Sequence, residues 1–353
     1  MNPASRSIDI AGTPVGRDAR PFVVAEMSGN HGGDLGRALA IVDAIAESGA
    51  QAVKLQTYTA DTITIDSDAP AFRVSQGHEL WGGRTLHDLY DEAHTPWEWH
   101  PQIFERARDR GLIPFSSPFD GTAVDLLEDL GAPLYKIASL EIGDIALLRR
   151  VARTGKPVIL STGAATLAEV HRAVETVRAE GNRQVVVLAC TSSYPADPRE
   201  SNLRSIPVYA DALGTLVGLS DHTPGIGASV AAVALGAVVI EKHVTLARAD
   251  GGVDSAFSLE PDELGALVVE TERAWQALGA VRLEPTPGEA ESRRLRRSLY
   301  VVQDVAAGDI VTDTNVRSIR PAGGLEPSEL EVVLGRRFTQ SAAKGTPLTW
   351  DLV

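Results

Sequence analysis

Residues able to do chemistry recur in this chain directly after short apolar runs. Glu26 closes one run, Lys54 and Gln56 the next, and Ser116 and Ser117 a third. Lys136, Ser139 and Glu141 follow a fourth, and Ser161 and Thr162 a fifth. Thr191, Ser192, Ser193 and Tyr194 follow a sixth, Ser220, Asp221 and His222 a seventh, and Glu241, Lys242 and His243 an eighth. Two imidazoles at neighbouring ends, His222 and His243, suit a divalent metal with positions left open for water or substrate. A core histidine satisfied by hydrogen bonds is the competing reading. Lys54 and Lys136 have two readings as well. One is a Schiff base, which needs a lysine with a lowered pKa. The other is neutralisation of a phosphate and a carboxylate. The Ser161-Thr-Gly163 turn adds hydroxyl and backbone N–H donors suited to that phosphate. Residue types alone leave both readings open.

The runs at 21–26, 52–56, 112–116, 133–138, 157–161, 184–190, 215–219 and 237–242 are short and nearly continuous in apolar residues. Segments of helical period lie between them, at 35–48, 100–110, 167–179 and 226–235. This alternation predicts a parallel sheet covered by helices, and eight units fit a (β/α)8 TIM barrel of the α/β class. A doubly wound open sheet is the alternative, but its glycine fingerprint after the first strand is missing. On a barrel, the polar residues above sit at the C-terminal strand ends, where such folds build active sites. A charge there is costly unless paired, so Glu26, Lys54 and Lys136 need partners or a ligand. The segment 57–98 is an insertion after the second strand, expected on that same face. His31, His78, His87, His94 and His100 read as solvated or locally bonded, and His171 as a surface residue.

The expected organisation is a barrel over 1–280, a linker over 281–295 rich in polar residues and proline, and a small β-rich domain over 296–353. The last piece is short for independent stability and should lean on a neighbour. A formal net charge of −14 argues against nucleic acid or an anionic membrane as partner. One cysteine, Cys190, allows no intrachain disulfide and suits a reducing cytoplasm. The first twenty residues have no apolar run, so no signal peptide is expected, and no stretch is long enough for a membrane helix.

Several motifs together resemble the sialic acid synthase family: AEMSGNHGG at 25–33, VKLQT at 53–57, YKIAS at 135–139, LSTG at 160–163, CTSSYP at 190–195, GLSDHT at 218–223 and EKH at 241–243. RRSLY at 296–300 and IRP at 319–321 are similar to that family's antifreeze-like (SAF) domain. Within the family, YDEAHTPWEW at 90–99, FSSPFD at 115–120, GGVDSAFSLE at 251–260 and GTPLTWD at 345–351 look like its pseudaminic acid branch. Neuraminate synthases usually carry Asn where this chain has Ser192. The resemblance implies a metal-dependent condensation of phosphoenolpyruvate with an amino-sugar aldehyde. It implies that His222 and His243 hold the metal, usually Mn2+, with Mg2+ or Co2+ as alternatives. Lys54, Lys136, Ser139, Ser161 and Ser220 match positions that hold phosphoenolpyruvate, and Gln56 and Ser192 lie in the same substrate motifs. Glu26 matches a catalytic carboxylate near the metal. Glu141, Tyr194 and Asp254 match sugar-facing or metal-proximal positions. Arg320 matches an arginine that enters the partner's barrel in a domain-swapped homodimer.

Overall fold

The structure, a computed structural model, describes residues 7–75 and 82–353. The chain opens with a hairpin, β1 (Ser7–Ile10) and β2 (Thr13–Gly16). Eight strands follow: β3 (Phe22–Glu26), β4 (Ala52–Thr57), β5 (Ile113–Pro118), β6 (Tyr135–Ile137), β7 (Val158–Ser161), β8 (Val185–Cys190), β9 (Leu216–Asp221) and β10 (Val239–His243). They are parallel and closed, with β10 pairing back onto β3. The open-sheet alternative is thereby excluded. Every barrel strand falls on one of the eight apolar runs. The helices Leu35–Ser48 and Leu167–Ala179 end where their periodicity ends. Asp34 caps the first through the Arg37 N–H, and Thr166 with Glu169 makes a capping box on the second.

Side chains alternate between two faces along each strand. Phe22 and Val24 point into the barrel with Ala52, Phe115, Leu134, Ile159, Val186, Leu188, Leu216 and Val239. Ile8, Ile10 and Val15 of the hairpin join this inner cluster and close the N-terminal end of the barrel. The hairpin was not anticipated from sequence, although its burial alternates strictly over 7–10. Its turn, Ala11-Gly12, has positive φ at both residues, the geometry of a two-residue connection that matches strand twist. Val23, Ala25, Val53, Leu55 and Ile240 point outward into the layer packed under the helices. At Gly218 a side chain would meet the Val239 carbonyl at 2.3 Å and Leu188 at 2.5 Å, so only glycine fits inside this wall. The inner layers are thus apolar from the closed end upward, and polarity is confined to the open end.

The insertion after β4 holds the helices Ala60–Ile63 and Leu86–Ala93. His31 and His100 tie it to the barrel and are fully buried, not solvated. The His31 Nε2 meets the Thr95 hydroxyl at 3.3 Å, and the His100 Nε2 meets the Thr57 hydroxyl at 2.9 Å. His171 is exposed, while His78 lies outside the described residues. Burial, reinforced at His31 by His94 and His100, lowers the pKa of both His31 and His100 to about 4. Each stays neutral in the fold down to that pH but takes up a proton near 6.5 once unfolded. Stability therefore falls as pH drops from about 6.5 to about 4, by on the order of 3 kcal/mol per imidazole. Urea unfolding followed from pH 7 to pH 4.5 should show this loss, and His100→Gln should reduce its slope. A flat profile would contradict it.

The chain divides into two compact units, 1–279 and 280–353. In the second, β11 (Ser298–Val301) and β12 (Val316–Ile319) pair antiparallel over a small core of Leu299, Val301, Val311, Val316, Val333, Phe338 and Leu348. The segment expected as a linker carries the short helix Ala290–Arg294, and the Arg294 carbonyl accepts the Ala322 N–H. Arg320 follows β12 and is exposed. No helix among the described residues is long and apolar enough to cross a membrane.

Candidate active site

At the C-terminal ends of the strands lies a cavity of about 530 Å3. Every residue to which the resemblance gave a catalytic, substrate or metal role lines it except Arg320, which belongs to the second unit. Strand phase decides which polar residues enter. On β10, Glu241 and His243 share the inner face while Lys242 points the other way. Lys242 instead pairs with Asp221 at 3.0 Å, outside the cavity. Asp221 also accepts from Thr223 and Ser229, so these strand-end charges build structure. Thr57 and Ser116 likewise bond to each other at 2.6 Å away from the cavity.

One pole of the cavity is an ion network. The Lys54 ammonium lies 2.9 Å from Glu26 and 2.9 Å from Glu241. Lys136 lies 3.4 Å from the other oxygen of Glu241. Gln56 donates to Glu26 at 2.8 Å, and Ser220 donates to Glu241 at 2.9 Å. All four charged groups are nearly sealed from solvent. Burial opposes the charge on Glu26, but His243, Lys54 and Lys136 overcome it and hold the carboxyl well below its ordinary range. Burial also opposes the charge on Lys54, but Glu241 and Glu26 raise its pKa above the usual lysine value. At Lys136 burial wins, and its pKa is lowered. The two ammonium groups and two carboxylates balance one another when all are ionised, so no isolated charge is buried.

The serines complete this pole. The hydroxyls of Ser117 and Ser161 are buried without a partner, the state expected of donors waiting for a ligand. The N–H of Gly163 already donates to the Ser139 hydroxyl at 3.1 Å, so it reaches a ligand only through that serine. A side chain at 163 would lie 2.0 Å from the Ser192 hydroxyl and 2.7 Å from that of Ser139. Glycine is what allows both serines to close on the turn.

Beside the ion network stand the two imidazoles, with ring centroids 5.3 Å apart. The His222 Nδ1 lies 3.0 Å from the Thr191 carbonyl, which can only accept. Nδ1 therefore carries a proton, and in the neutral ring Nε2 keeps the lone pair. The His243 Nε2 lies 3.2 Å from Glu26, while its Nδ1 is buried without a hydrogen bond, 3.8 Å from Asp254. Burial lowers the His243 pKa, which keeps the ring neutral and able to ligate. No group of three His, Cys, Asp or Glu among the described residues is arranged as a finished metal cluster. The neutral His243 ring and a His222 ring whose pKa Cys190 and the Thr191 carbonyl raise against burial fit a divalent cation that displaces the His222 Nε2 proton and takes its other ligands from water and substrate. Tyr194 packs on His222 at 4.5 Å, and Phe257 packs on His243 at 5.1 Å, fixing both rings.

Among the cavity residues given no site role from sequence are Glu241, Cys190 and Ser28. Glu241 is the shared counter-ion of both lysines, and its position two residues before His243 was signal enough to place it inside. Cys190 lies 3.9 Å from the His222 Nδ1; burial pushes its thiol up, but His222 more than offsets this and brings it to about 7. Ser28 holds Asp254 through a short hydrogen bond and itself has a positive φ, which no sequence pattern signals.

A parallel eight-stranded barrel with a buried lysine–carboxylate pole and two imidazoles at its open end defines a class, and sequence comparison names it. Residues 41–282 match the NeuB family and residues 296–353 match the SAF domain. The chain belongs to the NeuB family, the sialic acid synthase family that its motifs resemble, and it is an enzyme of that family. It is 41% identical to the pseudaminic acid synthase of Campylobacter jejuni strain 81-176, over 94% of this chain and 96% of that protein. It is also 41% identical to the pseudaminic acid synthase of Helicobacter pylori, over 94% and 97%. The solved sialic acid synthetase of Leptospira borgpetersenii superposes with a TM-score of 0.73 at 33% identity, covering 83% of this chain and 96% of that one.

Proposed function

We propose that this enzyme condenses phosphoenolpyruvate with a 2,4-diacetamido-2,4,6-trideoxy hexose of the L-altrose type, and with water, to give pseudaminic acid and phosphate. The observation that carries the reading is the pairing of Lys54 and Lys136 around Glu241, beside unpartnered serine hydroxyls and two imidazoles in one cavity. The identity to pseudaminic acid synthases over most of the chain selects the acceptor.

In this reading Lys54, Lys136, Ser139, Ser161 and Ser220 take the phosphate and carboxylate of phosphoenolpyruvate. The ammonium groups turn from their carboxylates towards the incoming anion. Glu141, Tyr194, Ser192 and Asp254 face the sugar. Burial raises the pKa of Glu141, and one of its oxygens has no partner, so it is free to bond to a sugar hydroxyl. His222 and His243 hold a divalent cation, Mn2+ in the first instance, with Mg2+ and Co2+ as substitutes. Such a cation, when bound, supplies Lewis-acid polarisation of the aldehyde oxygen. The methylene carbon of phosphoenolpyruvate forms the new bond to the aldehyde carbon, and the aldehyde oxygen gains a proton. Glu26, ionised and held by Gln56 and Lys54, orients the water that adds to the enol carbon and takes its proton. The carbon–oxygen bond to phosphate then breaks, and inorganic phosphate leaves. Fixing both substrates face to face supplies a large share of the rate. The same reading includes a cytoplasmic homodimer and gives Arg320 a substrate-facing role.

Phosphate release from phosphoenolpyruvate, measured with each candidate sugar, tests this. The L-altrose sugar should be preferred over N-acetylmannosamine and over the legionaminic acid precursor. Borohydride added during turnover should trap no lysine adduct. A preference for N-acetylmannosamine would replace the acceptor assignment, and an adduct at Lys54 or Lys136 would replace the chemistry with that of an aldolase.

A further inference from the structure

The cavity has a second pole that the ion network does not use. Its wall combines Tyr58 on the chain just after β4, Leu86, Leu89 and Tyr90 of the inserted helix, Phe119 after β5, and Leu140 after β6. Tyr58 sits at the centre, edge-to-face with Phe119 at 5.0 Å and with Tyr90 at 5.8 Å. Such contacts fix ring orientation, so the wall is formed before any ligand arrives. Leu140 lines the cavity yet is 74% exposed, an apolar side chain held at a ligand-facing edge. An apolar wall facing the polar half of one cavity suits a ligand whose two sides differ in the same way. A sugar hydroxyl set against the wall's leucines and aromatic ring faces would lose water without finding a partner there, the phenol hydroxyls of Tyr58 and Tyr90 being the wall's polar points.

We infer that this wall is the specificity element for the acceptor: it receives the methyl groups of an N-acylated, deoxygenated sugar and rejects the hydroxylated counterpart. The inference rests on the condensation proposed above and names the acceptor feature that the inserted segment reads. Tyr58, Leu86, Leu89, Tyr90, Phe119 and Leu140 act on acceptor affinity. The lysine pole acts on phosphoenolpyruvate.

The test uses the full-length enzyme with two acceptors, a 6-deoxy diacetamido hexose and N-acetylmannosamine, and follows phosphate release. Leu140→Asn changes an exposed residue, and Leu86→Gln changes a half-buried one, so the pair separates specificity from folding. In both variants KM for the deoxy sugar should rise by roughly tenfold, the usual worth of an apolar group in a pocket. The preference over N-acetylmannosamine should shrink by a similar factor, and KM for phosphoenolpyruvate should stay unchanged. An acceptor preference equal to that of the unaltered enzyme in both variants would overturn the inference. Parallel rises in the KM of phosphoenolpyruvate and of both sugars would also overturn it, since that is general disorder. Absence of phosphate release from the unaltered enzyme with either sugar would instead remove the condensation itself, a distinct failure.

Discussion

Replacing Lys54 by methionine should reduce phosphate release by about a thousandfold and lower stability by about 3–5 kcal/mol. Lys54 is the only cation within 3 Å of both Glu26 and Glu241 among the described ion pairs. Without it, two carboxylates face each other in a sealed site with Lys136 as the remaining ammonium. Either they repel or one takes up a proton, and each outcome costs free energy. The stability loss should be partly reversed in the double variant Lys54→Met with Glu241→Gln, because the uncompensated charge is then gone. Activity should not return, because the phosphate has lost its cation. Denaturant unfolding and phosphate release on the two single variants and the double variant give the comparison. Equal stability of Lys54→Met and the unaltered protein would sink the buried network as described.

His222→Ala and His243→Ala should each lower turnover by about a thousandfold or more, without recovery on added Mn2+. Chelation should silence the unaltered enzyme, and Mn2+ should restore it. The loss should fall on turnover more than on the KM of phosphoenolpyruvate, because His243 meets the network through Glu26 while the pairs of both lysines with Glu241 stay in place. Isothermal titration with Mn2+ should show one site in the unaltered protein and none in the double alanine variant. Undiminished Mn2+ binding by that variant would place the cation elsewhere.

The barrel was legible because burial on both sheet faces leaves nearly continuous apolar runs, and all eight were visible. The polar strand ends were legible for the same reason, since they interrupt the runs at one end only. What the runs do not display is strand phase. Lys242 and Glu241 are neighbours with opposite roles, one tying Asp221 outside the barrel and the other bridging two lysines inside it. Counting back two residues from His243 would have separated them. The hairpin at 7–16 was missed because its strands have four residues each and only the first alternates, while its turn is Ala-Gly rather than one of the stronger turn pairs. The burial of His31 and His100 was missed because it depends on how the inserted segment folds back onto the barrel. The Ser28–Asp254 contact joins residues 226 apart, a separation over which local pattern is silent.

In the proposed reaction the lysine pole holds phosphoenolpyruvate while its carbon–oxygen bond breaks. The most direct measurement is a turnover with phosphoenolpyruvate carrying 18O at the bridging oxygen, the deoxy diacetamido sugar and Mn2+, followed by mass analysis of the released phosphate. The label should appear in the phosphate. Unlabelled phosphate would mean that the phosphorus–oxygen bond breaks instead, and the proposed addition of water at the enol carbon would be wrong.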